Sequence, residues 1–313
     1  LHQHSSTAPV LIAALSNPIA HCFNRWFFLI LKGVLLLLLL ILLAIIINLA
    51  SRPPRTRITQ KLFRGITYTR LIRKTPRSLV IHLVEIDLTT PGIRILVTPG
   101  DPSCGMETCA MTTREFLEKY DLQTAINGSF FSPFSVGTNF WNYYPHTNDP
   151  TDILGLAISN EQEYSDEMEG YAKICFNKTS AEITERACPK GTLQALAGRG
   201  ILVRNGKAEH FDFADNLHPR TAVAVGDRGK HLWLVVVDGR QSGYSEGVDL
   251  NELAELIAPL GASEALNLDG GGSTTLVASK NGARTLNAPI HTRIPMRQRP
   301  VANHLGIYAL PLP

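Results

Sequence analysis

The sequence predicts an α+β domain of mixed, strand-rich sheets with a few flanking helices, preceded by one N-terminal transmembrane helix. Three observations carry this. Short runs of β-branched and apolar residues recur from Leu79 to the end of the chain, many bounded by Gly-containing turn pairs such as Pro91-Gly92 and Asn205-Gly206. Helices are fewer, and a helix-capping pattern opens the two read here, at Thr112 and at Asp249. Residues 33–47 are apolar without interruption.

Taken along the chain, residues 1–25 form a leader without clear periodicity. Gly33 to Ile47 (GVLLLLLLILLAIII), extended by Trp26–Leu31 and by Leu49 and Ala50, reaches the roughly 20 residues that a bilayer core requires. We read a transmembrane anchor over residues 26–50. A cleaved signal peptide is the alternative, but Asn48-Leu49-Ala50 is a poor small-x-small cleavage site and the apolar region is long for a signal. Residues 51–76, which begin SRPPRTRITQK, read as a basic linker, and residues 77–313 as the globular domain.

Within that domain, Leu79–Leu88 alternates around β-branched residues and Ile93–Val97 follows a turn pair. Thr112–Tyr120 is a helix with Thr112 and Glu115 as its capping box, followed by a strand over Leu122–Ile126. Ile201–Arg204 and Lys207–His210 flank Asn205-Gly206 as a hairpin, and Thr221–Val225 with Leu232–Val237 form another. A third hairpin lies around Asn281-Gly282, and a last strand over Leu305–Ala309. Asp249 caps a second helix, with Leu250, Leu253, Leu256, Ile257 and Leu260 on one face and Pro259 and Gly261 ending it. Strands and helices do not alternate in a βαβ rhythm, which points away from a parallel α/β fold.

A net charge of +3 without a basic stripe of interleaved aromatics excludes nucleic acid as an expected partner. Cys104 lies near Cys109 and Cys175 near Cys188, spacings suited to two local disulfides in an oxidising compartment, while Cys22 precedes the span. Arg52, Arg55, Arg57, Lys61 and Arg64 after the span outnumber Arg25 and Lys32, which by charge alone would hold the domain in the cytoplasm. Large domains are exported despite positive flanks, so the cysteines decide the expectation: a membrane-anchored domain on the periplasmic or extracellular side.

The chemistry centres on Asn267-Leu268-Asp269-Gly270-Gly271-Gly272-Ser273-Thr274-Thr275. Three glycines are costly to order, and what they offer is a bare backbone that a ligand can approach closely. Beside a carboxylate and hydroxyls they make a polar concavity fit for a phosphate or a sugar. The strand-like residues that follow, and the missing Lys-Ser/Thr pair, exclude a nucleotide P-loop. Four other polar stretches stand at strand ends: Ile126-Asn127-Gly128-Ser129, His218-Pro219-Arg220-Thr221, Asp238-Gly239-Arg240-Gln241 and Arg297-Gln298-Arg299-Pro300. They add Asn127, Asp238 and three arginines, Arg220, Arg240 and Arg299, whose planar forks suit phosphate oxygens. His146 with Asp149 and Asp152 is the weaker candidate for a divalent cation, and no metal or other cofactor is expected.

These motifs, in this order, together with the helix over Val248–Ile257 and the later Arg299-Pro300-Val301, resemble the phosphodiester glycosidase family across about residues 77–311. The resemblance implies hydrolysis of a sugar-1-phosphodiester at the glycosidic C–O bond, releasing free sugar and a phosphomonoester. It implies Asp269 and Asp238 as acid/base or sugar-orienting catalytic residues. Arg220 and Arg299 would hold the phosphate and the amides of Gly270, Gly271 and Gly272 would add donors. Asn127, Asn267, Arg240 and Ser273 complete the implied substrate-binding set. The aromatic stretch Phe140–Asp149 departs from the family pattern, and its Trp and Tyr rings suit sugar stacking. Two other readings stay open: a non-catalytic module that binds anionic glycan, and a metal-dependent phosphodiesterase that cuts the P–O bond.

Overall fold

The structure, a computed structural model, describes residues 18–137, 141–212 and 216–313, with side chains described from Trp26 onward. The leader to residue 17 and the side chains of Cys22 and Arg25 lie outside the described residues. The chain forms two compact units, Leu1–Ala50 and Ser51–Pro313.

In the first unit, helix α1 spans Pro18–Ala50, and its Trp26–Ala50 stretch is long and apolar enough to cross a membrane. Large apolar side chains stand exposed along that stretch.

The second unit is strand-rich, with two short helices. An eight-stranded antiparallel sheet runs in the order 58–63, 66–73, 79–87, 231–237, 220–226, 264–267, 201–204 and 207–208. A five-stranded sheet holds 284–285, 276–278, 124–127, 304–308 and 94–97, and another holds 162–165, 157–159, 194–198, 172–176 and 181–184. The fold is α+β.

The central core lies where these sheets face one another. Val223, Val225, Leu234 and Val236 from the large sheet meet Ile126, Leu276 and Leu305 from the second and Ile174, Phe176 and Leu196 from the third. The alternate residues Ala222, Ala224, Val235 and Val237 point the other way, onto Leu253, Ala254 and Ile257 of helix α3, Leu250–Ile257. Both faces of these strands are covered, so their sequences read as continuous apolar runs, and small alanines let the helix approach. Helix α2, Thr113–Lys119, sets Phe116 and Leu117 against Leu96, Ala125 and Val277 of the second sheet. Both helices carry the expected capping boxes, Thr112 with Glu115 and Asp249 with Glu252.

The segment expected to be a basic linker is different. Residues 58–63 and 66–73 are strands of the large sheet, joined to it through Thr69 opposite Leu83. Ile66 and Tyr68 are buried in an alternating pattern, a period-two signal that the surrounding basic and proline residues obscure. The basic side chains dock rather than space. Arg55 Nη1 donates to the Gly243 carbonyl at 2.8 Å, and Arg70 Nε to that of Thr56 at 2.9 Å.

Cys104 is bonded to Cys109 and Cys175 to Cys188, as their spacing suggests. The second bridge closes a separation of 13 residues, from Cys175, buried in a strand of the third sheet, to Cys188 in the segment after strand 181–184. Replacing Cys175 and Cys188 together by Ser is expected to cost about 2–4 kcal/mol of unfolding free energy. Denaturant titration of the two proteins side by side measures it.

Candidate active site

One end of the large sheet gathers the predicted residues. Arg220 begins its strand opposite Val237, the last residue of the neighbouring strand, and Asn267 ends the next strand opposite Ala222. Antiparallel pairing thus brings Arg220, the Asp238–Arg240 turn and the glycine loop to the same edge. The loop then crosses between sheets, leaving strand 264–267 and entering strand 276–278 of the five-stranded sheet through a single 3-10 turn at Gly271–Ser273.

There the loop borders a cleft of ≈ 850 Å³. Arg220, Arg240, Arg293 and Arg299 line it with Asp269, Gly270, Gly271, Gly272 and His218, so four arginines and a single acid share the lining. Three of the four are held by other protein groups. Arg299 Nε donates to His291 Nδ1 at 3.2 Å and Nη1 to Ser273 Oγ at 3.0 Å, while its guanidinium lies 4.4 Å from the centre of the Phe134 ring. Arg240 Nη2 bonds His218 Nδ1 at 3.1 Å, and Arg220 Nε donates to the Val248 carbonyl at 3.2 Å.

The glycines are needed for the arginines. A Cβ on Gly272 would lie 2.5 Å from Arg299 Nη2, and one on Gly271, whose φ is +60°, would lie 3.1 Å from Arg240. The bare backbone therefore first admits two cations, Arg299, which is buried, and Arg240, which is exposed. The Gly271 amide donates to the Pro219 carbonyl at 2.8 Å, so this donor is directed at the protein and not at a ligand. Arg240, Thr292 and Arg293 all take positive φ at this cleft, a costly conformation for non-glycine residues, and a β-branched threonine is the most costly of them.

Burial raises the Asp269 pKa above its ordinary 3.8, opposed by Arg299, the Ser273 hydroxyl, the Gly270 amide and Arg240. Desolvation wins although Arg299 and Arg240 both act to lower the pKa. The Arg299 pKa is lowered by burial, as is that of Arg240. His291 is pushed down to about 3, chiefly by burial and then by Arg299, Arg297 and His146. It is therefore neutral near pH 7 and able to accept from Arg299 through Nδ1.

Four predicted residues stand behind the cleft rather than in it. Asn127, fully buried, donates from Nδ2 to the Asp269 carbonyl at 2.6 Å, and its Oδ1 accepts from Thr221 Oγ1 and the Thr275 amide. It fastens both sides of the glycine loop to two sheets. Asn127-Gly128-Ser129 and Asn177-Lys178-Thr179 both match the glycosylation sequon, but Asn127 is buried out of reach as an acceptor, whereas Asn177 is exposed. Asn267 Nδ2 donates to the Arg199 carbonyl, and Ser273 serves Arg299.

Asp238 is fully buried and does not line the cleft. Its Oδ2 takes a 3.0 Å bond from His82 Nε2, whose Nδ1 bonds Tyr68 Oη at 2.8 Å. Its Oδ1 accepts from Asn287 Nδ2 and the Ala288 amide, and Asn287 Nδ2 also reaches the Thr274 carbonyl. The geometry makes Asp238 a positioning residue for the far side of the loop. Asp238→Ala strands three buried donors, and a loss of about 3–5 kcal/mol is expected for breaking such a pair from one side, measurable by chemical unfolding.

The proposed cation ligands separate. His146 Nδ1 pairs with Asp149 at 3.2 Å, while Asp152 Oδ1 accepts from the Glu107 amide. Among the described residues, the grouping at metal-ligand distance is Asp101, Cys104 and Cys109, whose cysteines form a disulfide and offer no thiolate. In the aromatic stretch, Phe140 lies outside the described residues and Trp141 is 71% exposed. Tyr143 packs on His291 (4.7 Å between ring centres) and under Arg297. Sequence reasoning missed His291, Arg293 and Phe134. Of these, only Arg293 had a neighbouring signal, the basic run that follows it.

A family model described as phosphodiester glycosidase matches residues 120–308. No curated protein matches. Among solved structures, a hypothetical protein from Synechocystis is similar with a TM-score of 0.60 at 16% identity, over 83% of this chain and 64% of that one. The catalytic domain of zebrafish N-acetylglucosamine-1-phosphodiester alpha-N-acetylglucosaminidase is similar with a TM-score of 0.54 at 20% identity, over 80% of this chain and 88% of that one. A putative exported protein from Burkholderia pseudomallei follows with a TM-score of 0.51 at 13% identity, over 77% and 76%. These likenesses establish a shared fold.

Proposed function

The chain belongs to the phosphodiester glycosidase family, and we propose that it hydrolyses a sugar-1-phosphodiester at the glycosidic bond. The observation that carries this is the cleft's charge: four arginines and one carboxylate, with a glycine loop beneath. Such a site attracts a permanently anionic group and holds it by forked, directional donors. The name of the zebrafish neighbour supports the same class of substrate.

In this reading, Arg220, Arg240 and Arg299 bind the phosphate and stabilise the charge that builds on it as the C1–O bond breaks. A phosphomonoester stabilised this way leaves without needing a second carboxyl as proton donor, which accounts for a cleft in which Asp238 takes no part. Asp269 is then the general base. A water oxygen bonds to the anomeric carbon, the C1–O electron pair goes to the phosphate oxygen, and the water's proton passes to the Asp269 carboxylate. A raised pKa makes that carboxylate a stronger base than an ordinary one. The neutral His291 fixes Arg299 without adding a positive charge of its own.

The apolar helix and the two disulfides fit a membrane-anchored or secreted protein. The finer proposal is an uncleaved anchor with the domain on the periplasmic or extracellular side, acting on envelope or extracellular glycans. The deciding experiment incubates the purified chain with a panel of sugar-1-phosphodiesters and identifies the products. Free sugar with a phosphomonoester supports the proposal. A sugar phosphate among the products means P–O cleavage, and tight binding without turnover means a glycan-binding module.

A further inference from the structure

The cleft has a second lining that phosphate and sugar do not explain. Beside the arginines stand Phe130, Phe134, Val136, Leu217 and Ile290. Phe134, Val136 and Leu217 are 47%, 51% and 38% exposed, an unusual state for large apolar side chains set around one cleft. Phe134 is already engaged as the ring under which Arg299 lies, so the wall adjoins the presumed phosphate position. An aromatic ring alone would suit the face of a sugar. Val136, Leu217 and Ile290 are aliphatic, and a wall of branched aliphatic side chains removes hydrocarbon from water.

From this juxtaposition of a cationic floor and an aliphatic wall, we propose that the alcohol esterified to the phosphate is a lipid: the substrate is a glycosyl-1-phosphoryl lipid. The sugar and phosphate lie over the glycine loop, and the first carbons of an alkyl or prenyl chain lie along Phe134, Val136 and Leu217. This rests on the phosphodiester glycosidase reading and adds the class of leaving alcohol. The reaction balances as before. Water adds to the anomeric carbon, the C1–O bond breaks, and the products are free sugar and a lipid monophosphate.

The test separates binding from turnover. The full chain in one detergent is titrated with methyl phosphate and with hexyl phosphate, beside a variant carrying Val136→Asn and Leu217→Asn. Each buried methylene contributes about a fourfold gain in affinity. Partial burial of the chain is thus expected to give hexyl phosphate at least about a tenfold advantage, and the variant is expected to lose most of it. Equal binding of the two phosphates overturns the proposal. A hexyl preference that survives both substitutions overturns it too, since it then comes from detergent partitioning or another surface. Turnover is measured in parallel on methyl and hexyl diesters of one sugar 1-phosphate, with a higher kcat/KM expected for the hexyl ester. Absence of turnover with both esters refutes the hydrolase reading, while the lipid preference is still decided by the two titrations.

Discussion

Asp269→Asn is expected to lower kcat/KM on a sugar-1-phosphodiester by about 10²–10⁴-fold, the loss of a positioned proton acceptor. Amide and carboxylate are close in shape, so the contact with Ser273 and the course of the loop persist. Stability should move the other way. Burial holds the folded-state pKa of Asp269 above its unfolded value, so the folded state binds the extra proton between the two. The group's contribution to stability is full below the ordinary 3.8 and is lost as pH rises through the folded pKa. At neutral pH the folded protein therefore bears the cost of a desolvated charge, and the amide relieves it. The variant should unfold at the same or a higher temperature at pH 7 than the unaltered protein. In the unaltered protein, kcat/KM should fall as pH drops through the raised pKa of Asp269, placing the acid limb above the ordinary carboxylate range. Full activity in Asp269→Asn would remove Asp269 from the mechanism.

The second large effect belongs to Arg299. Arg299→Ala is expected to cost about 10²–10³-fold in kcat/KM, since it removes a desolvated phosphate partner and leaves Asp269 with less positive charge nearby. Arg299→Lys should recover little, because one ammonium cannot bond His291 and Ser273 while presenting a planar edge to phosphate. Without Arg299, whose charge lowers the Asp269 pKa, the acid limb should move to higher pH. Gly272→Ala tests the same contact from the other side. A Cβ 2.5 Å from Nη2 must displace the guanidinium. Losing one charged hydrogen bond in this way corresponds to about a tenfold to hundredfold loss. The measurement is kcat and KM over a pH series for all four proteins.

Much of the fold was legible because local rules govern it. The capping boxes at Thr112 and Asp249, the hairpin turns at Asn205-Gly206 and Asp227–Gly229 and the cysteine spacings each rest on residues close together in the chain. The strands at 58–63 and 66–73 were hidden because an edge hairpin with polar alternate residues resembles a basic linker until a partner strand is supplied. Within the candidate site, Asp269, Arg220, Arg240, Arg299 and the glycines stood out as polar residues at strand ends, and they share the cleft.

The sequence by itself determined the α+β class, the apolar helix, the family and the residue types gathered around Asp269, since each follows from periodicity, turn chemistry or ordered motifs. Only the tertiary structure decided which polar residues face the cleft and which hold it up. Asp238 and Asp269 look alike as acids at strand ends. One turns inward to His82 and Asn287, and the other lines a cleft that it shares with four arginines. Direction depends on which sheets meet at that edge, and partners such as His82 and Asp238, 156 residues apart, meet only once the sheet has formed. The same packing placed His291 behind Arg299 and made it neutral, because burial above all, and then nearby cations, set its pKa.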